Sequence, residues 1–315
     1  MTAVKIITVD KSDADIRLDR WFKRHFPKVT HIEVEKATRK GNIRVNGTKV
    51  KAGHRIKTGD EIRVPPLSER APDMVKIKKP VSDKYIKLIN DAIIYKDADI
   101  IAINKPSGIA SQGGQGVNVS VDDLLDYLKF DSEIRPKLVH RLDKDTSGVM
   151  IVARTSTAAA FFAKQFKSKE IQKIYWAIVV GVPKIRDGKI DYPLIKKDIG
   201  NGIEKVVIDD DEGQKARTYY NTIENFASQA SFVELRPVTG RTHQLRVHMT
   251  AIDTPILGDG KYGGQLAFIN GLSKKLHLHA RSIEFTMQNG ERKEVVAELT
   301  GHMKDTFDMM VEGKG

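Results

Sequence analysis

The chain has 315 residues, 40% hydrophobic and 30% charged, with 24 glycines and 11 prolines; this excludes a disordered or fibrous protein and allows about two packed domains. Having no cysteine excludes a disulfide framework, a thiolate metal site and a cysteine nucleophile, and a reducing, cytoplasmic setting is expected. The net charge of +12 points to a polyanionic partner, nucleic acid first.

Acids interrupt the N-terminal MTAVKIITVDKSD, and no segment approaches the roughly 18 apolar residues of a membrane span, so neither secretion nor membrane insertion is expected. The charge is localised. Residues 1–80 hold 20 Lys and Arg against 10 Asp and Glu, while the other 33 basic and 31 acidic residues nearly cancel.

Between Ile16 and Phe26, the residues Leu18, Trp21, Phe22 and Phe26 recur at helical spacing, with Arg17, Arg20, Lys23 and Arg24 largely off that stripe. This predicts a short amphipathic helix with a basic face. Thr30 and Glu33 form a capping box for a second helix, which Gly41 ends and whose last turn carries Lys36, Arg39 and Lys40. NIRVNGTKV reads as a hairpin turning at Asn46-Gly47, and EIRV follows as a third strand. The proline-bearing stretch with Lys76, Lys78 and Lys79 reads as a linker at 67–83, between a first domain at 1–66 and a second at 84–315.

The second domain mixes strand-like and helix-like runs: strands at AIIY and IIAIN, helices at 121–129 and 156–169, then strands at IYWAIVVG, ARTYYNTIE and SFVELRPV. Without regular βαβ repetition this predicts an α+β class. There is neither a phosphate-binding loop nor a dinucleotide fingerprint.

Three polar clusters could carry chemistry. HRLDKDTSG, before the apolar run VMIVA, sets a carboxylate at the end of a buried element, and spacing alone leaves Asp143 and Asp145 both open. In QKIYWAIVVG, Tyr175 and Ala177 share one strand face, with Ile174, Trp176 and Ile178 on the other. In VTGRTHQLRVHM, Thr242 is placed to cap a helix, putting Arg241 at its positive end and Arg246 a turn further in, able to pair bidentately with a carboxylate. The pairs His243/His248 and His277/His279 lack a third ligand at recognisable spacing, so no metal site is expected.

Six segments in order resemble the signature of the RluA/RluC/RluD family of ribosomal RNA pseudouridine synthases. They are NKPSG at 104–108, HRLDKDTSGVMIVA at 140–153, KIYWAIVVG at 173–181, TGRTHQLRVHM at 239–249, PILGDGKYG at 255–263 and LHAR at 278–281. The first domain resembles an S-four-like RNA-binding module over Ile16–Val64, and the combination is similar to the RluC and RluD types, which modify large-subunit ribosomal RNA. One departure is Ser111-Gln112-Gly113-Gly114, where many relatives carry His before the paired glycines.

The resemblance implies a pseudouridine-synthase fold, with a mixed, largely antiparallel sheet flanked by helices and loops. It implies Asp143 as the catalytic carboxylate, Tyr175 as the active-site tyrosine, Arg246 as the partner of Asp143, and Arg141 as the residue entering the RNA stack when the uridine leaves it. Arg241, Arg17, Arg20, Lys36, Arg39 and Lys40 are expected on RNA phosphates. No cofactor is implied, and the expected partner is large-subunit ribosomal RNA or a pre-ribosomal particle, met by a monomer. Two other readings are a non-catalytic ribosome assembly factor, and a carboxylate-dependent hydrolase needing a second carboxylate, for which Asp145 and Asp259 are loose candidates.

Overall fold

The apolar stripe of the first unit becomes a two-helix layer on a small sheet. In chain order the elements are β1 (Lys5–Thr8), α1 (Leu18–His25), α2 (His31–Arg39), β2 (Arg44–Val45), β3 (Thr48–Lys49) and β4 (Glu61–Val64). Thr30 and Glu33 form the expected capping box on α2. Asn46 and Gly47 turn the β2–β3 hairpin with φ of 51° and 72°, the positive pair that such two-residue turns require. The sheet order is β1-β4-β2-β3; β1 was not anticipated and lies outside the 16–64 span read from sequence. Leu18, Trp21, Phe22, Val34, Ile43, Ile56 and Ile62 close the core.

In this computed structural model residues 4–27, 29–66, 81–114, 116–200 and 204–312 are described, and the chain divides into units at 1–80 and 81–315. Most of the expected 67–83 linker, including Lys76, Lys78 and Lys79, lies outside the described residues. Its last residue, Asp83, already opens α3 (Asp83–Asp91), with Ser82 extended before it.

The second unit continues with β5 (Ile93–Lys96), β6 (Ile100–Lys105), α4 (Val121–Leu124), β7 (Lys137–Leu138), β8 (Ser147–Ala153), α5 (Ser156–Ser168) and β9 (Gln172–Val180). Then come β10 (Asp187–Ile190), β11 (Leu194–Asp198), β12 (Glu204–Ile208), β13 (Thr218–Phe226) and β14 (Ala230–Pro237). The last elements are α6 (Gln244–Ala251), β15 (Leu278–Thr286), β16 (Arg292–Val296) and α7 (His302–Glu312). The helix expected at 121–129 is a single α turn tightening into a 3-10 turn over Leu125–Leu128.

A ten-stranded sheet runs β10-β13-β14-β9-β15-β8-β6-β5, with β16 beside β15 and β7 beside β8, and β11 and β12 form a separate ribbon. Pairing is antiparallel except at the β8–β15 seam, where Ser147 faces His279 and Gly148 faces Ala280. Gly148 has a φ of 108°, and a Cβ there would lie 2.2 Å from the Ala280 carbonyl oxygen, so a larger residue would force the two strands apart.

The continuous apolar runs of β6 and β8 are explained by burial on both faces. Ile101, Ile103, Met150 and Val152 pack under α3 and α4, while Ile100, Val149 and Ile151 pack with Phe162 of α5. Further along the sheet, Ala177 and Val179 of β9 meet Leu245 and Met249 of α6, while Ile178 lies in the cluster that Phe307 and Met310 of α7 cover. Tyr175 packs against both clusters of the first face, and the cleft opens at that junction.

Candidate active site

The loop before β8 carries HRLDKD and is fastened from below by the NKPSG turn. The Lys105 ammonium is fully buried and donates to the carbonyls of Pro106, Ile109 and Lys144 at 2.9, 2.8 and 3.2 Å. Burial pulls its pKa down to about 7, with Asp145 and Asp143 opposing the shift. The Ser107 hydroxyl donates to the Asp145 carbonyl at 2.8 Å, and the Gly108 amide donates to the Lys144 carbonyl at 2.9 Å. His140 accepts the Ile151 amide at 2.8 Å and stacks on Phe166; burial takes its pKa to about 3, so it stays neutral.

Ser111, the first residue of the departure from the family pattern, clamps the residue next to Asp143. Its buried hydroxyl donates to the Leu142 carbonyl at 2.6 Å and accepts the Leu142 amide at 3.0 Å. Ser111→Ala therefore leaves both buried groups unpaired; the expected cost is about 1–3 kcal/mol. Denaturant unfolding measures the loss, and turnover should fall with it as Asp143 loses its fixed seat.

The cleft, about 110 Å³, is lined by Arg141, Asp143, Lys173, Tyr175, Thr239, Arg241, His243 and Arg246, among others. Asp143, Tyr175, Arg246 and Arg141, which the resemblance implies for the site, thus meet in one place, together with Arg241. Arg141 is exposed and makes no hydrogen bond or ion pair among the described residues. Burial raises the Tyr175 pKa, with the charge of Asp143 adding to it, so the phenol keeps its proton. Lys173, two residues before Tyr175 on the same strand face, was not singled out from sequence; burial, with Lys169 adding to it, lowers its pKa.

Two expectations are corrected. Arg246 does not hydrogen-bond Asp143. Its Nε and Nη2 donate to Asp259 at 2.8 and 2.7 Å, a bidentate pair with the carboxylate fully buried. Burial is the largest single influence and works against the Arg246 charge, but the hydrogen bonds and charge of Asp259, with Asp143 adding at longer range, together outweigh it and raise the pKa. With Asp259 held in this way, the hydrolase reading loses one of its two candidate second carboxylates.

The helix start also differs, because α6 begins at Gln244 with His243 as its cap in the left-handed region at φ 52°, and Thr242 is exposed. Long-range bonds override local capping preference. The Gln244 amide donates to the Arg217 carbonyl and Thr218 hydroxyl at 2.9 and 3.0 Å, and its oxygen accepts from the Thr239 hydroxyl at 2.6 Å and the Arg241 amide at 3.1 Å. The Arg241 guanidinium is exposed and rests on the Lys215 carbonyl.

In the first unit, Arg20, Lys36, Arg39 and Lys40 are exposed. Arg17 is not a free cation, as it holds Asp19 through two hydrogen bonds at 3.1 and 2.6 Å. A groove of about 790 Å³ brings Lys36 and Arg39 together with Lys49 and Lys51, two bases that the run TKVKAG had offered and sequence reading passed over. The histidine pair His277 and His279 is engaged internally, by Thr306 and Leu257 and by Ser147 and Ala297. No helix among the described residues is long and apolar enough to cross a membrane.

Comparison with known proteins agrees with this arrangement. Residues 99–251 match the family model described as RNA pseudouridylate synthase, and residues 16–62 match the S4 domain. A protein of Vibrio cholerae named "Ribosomal large subunit pseudouridine synthase C" is 33% identical, with 98% of each chain covered. One of the same name from Rickettsia conorii is 38% identical over 85% of this chain and 88% of its own. Among solved structures, human RNA pseudouridylate synthase domain containing 4 superposes with a TM-score of 0.60 at 28% identity, covering 72% of this chain and 96% of that one. With the aspartate loop, strand tyrosine and buried arginine converging on one cleft in this fold, the chain belongs to the RNA pseudouridine synthases.

Proposed function

We propose that this enzyme isomerises uridines of large-subunit ribosomal RNA, free or in a pre-ribosomal particle, acting as a cytoplasmic monomer with Asp143 as nucleophile. The observation that carries the reading is the cleft itself, where Asp143 shares the wall with a half-buried tyrosine and an exposed arginine and one chain supplies every group. The names of the relatives supply the RNA class.

The reaction breaks the bond from sugar carbon 1′ to base nitrogen 1, turns the base and joins carbon 1′ to carbon 5; the proton on carbon 5 leaves and nitrogen 1 gains one. No oxidation or energy input is needed. A stacked base is out of reach, so it must be extruded at a cost of a few kcal/mol, and the planar guanidinium of Arg141 can stack in the vacated space. Tyr175, kept protonated, offers a ring face that retains the detached base while it turns. Arg246, locked to Asp259, places a fixed guanidinium in the wall of the same cleft as Asp143.

Release of tritium from carbon-5-labelled uridine in large-subunit ribosomal RNA tests the reaction directly, and no release from free RNA or particles would reject it. For the first unit, replacing Lys36, Arg39 and Lys40 together by Ala should weaken binding and reduce the slope of log affinity against log salt by about 2. An unchanged slope removes these residues from the phosphate contacts.

A further inference from the structure

His243 stands out because its backbone is held in the left-handed region, at φ 52°, with its ring set between Tyr262 and Asp143. Its Nδ1 lies 2.6 Å from the Tyr262 hydroxyl, and its Nε2 lies 3.9 Å from Oδ2 of Asp143. The Tyr262 hydroxyl in turn accepts the Val206 amide of β12 at 3.4 Å. With that amide on its oxygen, the hydroxyl is free to aim its own proton at Nδ1, which fixes the tautomer and leaves the ring proton on Nε2, facing Asp143.

We propose that His243 is a positioning residue for the reaction, fixed by Tyr262 so that its Nε2–H steers the carboxylate of Asp143 into its attacking orientation. This rests on the reading of Asp143 as the nucleophile. At 3.9 Å the contact is longer than a hydrogen bond, as catalytic contacts often are before substrate tightens them.

The electrostatics agree with the tautomer. Burial lowers the His243 pKa, Asp143 opposes that shift, and Arg246 and Lys261 reinforce it, so the ring is neutral at pH 7. The charged groups around it are Asp143 from the loop before β8, Arg246 from α6, and Asp259 and Lys261 from the turn that also carries Tyr262. The underside of the relay is packed. Val206, Leu194 and Ala216 cluster with Val247 of α6, and Tyr262 seals that cluster. The β11–β12 ribbon therefore reaches Asp143 through Tyr262 and His243. Protonation of Nδ1 would remove the acceptor of the Tyr262 proton, so acid breaks the hydrogen bond that fixes the ring.

The test is single-turnover pseudouridine formation on a 5-tritiated large-subunit ribosomal RNA transcript, over pH 5.5–8.5, with RNA affinity and melting temperature measured alongside. Tyr262→Phe should lower the rate about 10-fold with affinity unchanged. It should also move the acid limb to higher pH, because the neutral ring loses its donor. His243→Phe should lose about 100-fold, whereas His243→Gln, which keeps an N–H near the Nε2 position, should recover most of that loss and flatten the acid limb. A wild-type rate and acid limb in Tyr262→Phe, a wild-type rate in His243→Phe, or Gln no better than Phe at equal melting temperature would each overturn the proposal. An active Asp143→Asn would instead overturn the reading beneath it, leaving the two failures distinct.

Discussion

Asp143→Asn should release no tritium from carbon-5-labelled uridine, a loss of at least about 10⁴-fold, while still binding RNA. The amide has the shape of the carboxylate, and the clamps on the loop act on Leu142, Lys144 and Asp145 through their backbone, so the fold around position 143 is untouched. What disappears is the negative charge that attacks. Arg141 and Arg241, the exposed cations of the cleft, remain to meet phosphate, and affinity should hold or rise slightly as one like charge is removed. Product from the Asn variant at a rate near wild type would move the nucleophile elsewhere, with Asp145 the nearest carboxylate in the loop.

Arg246→Ala is expected to be the most destabilising single change in the site, for a reason that involves Asp259 rather than Asp143. The pair is bidentate, Arg246 is 8% exposed and Asp259 1%. Removing the arginine strands a buried carboxylate, a loss of roughly 3–5 kcal/mol. In a unit of this size the melting temperature should fall by about 10 °C. The guanidinium also lies 5.0 Å from the Tyr262 ring centroid, so its loss loosens the support of His243 as well. Replacing both members, Arg246→Met with Asp259→Leu, should return most of the stability without returning activity. A single Ala variant that melts like wild type would show the pair to be dispensable to the fold.

Where apolar runs were long and bounded by turn residues, sequence was enough to place the strands. IIAIN and VMIVA are buried on both faces, and their lack of alternation is the mark of that position. Short edge elements left no such mark. β1 is four residues with an exposed pattern, paired only to β4, and the β11–β12 ribbon alternates weakly between lysines and aliphatics. In α3, Tyr85, Leu88 and Ile89 do recur at helical spacing, but the prolines and lysines before them favoured a linker.

Within the cleft, residue types were legible and their partners were not. The choice between Asp143 and Asp259 for Arg246 depends on how the turn after α6 folds back, which no local pattern encodes. The unusual backbone of His243 escaped for the same reason. Thr242 is the better capping residue by type, and only the bonds from Gln244 to Thr239, Arg217 and Thr218 make the chain enter the helix one residue later. Ser111 was read as part of an altered loop, because the backbone groups it clamps belong to a segment 31 residues away.

The parallel seam between β8 and β15 also sets when each molecule becomes competent. Ser147 and His279, hydrogen-bonded across it, are 132 residues apart in the chain. Contacts of that range form late, since the entropy of closing so large a loop is lost before the contact gives anything back. On a translating ribosome the basic first unit is complete while the segments carrying Arg246, Asp259 and Tyr262 are still unmade. A nascent chain can thus carry its basic first unit well before the segments that line the cleft are brought together.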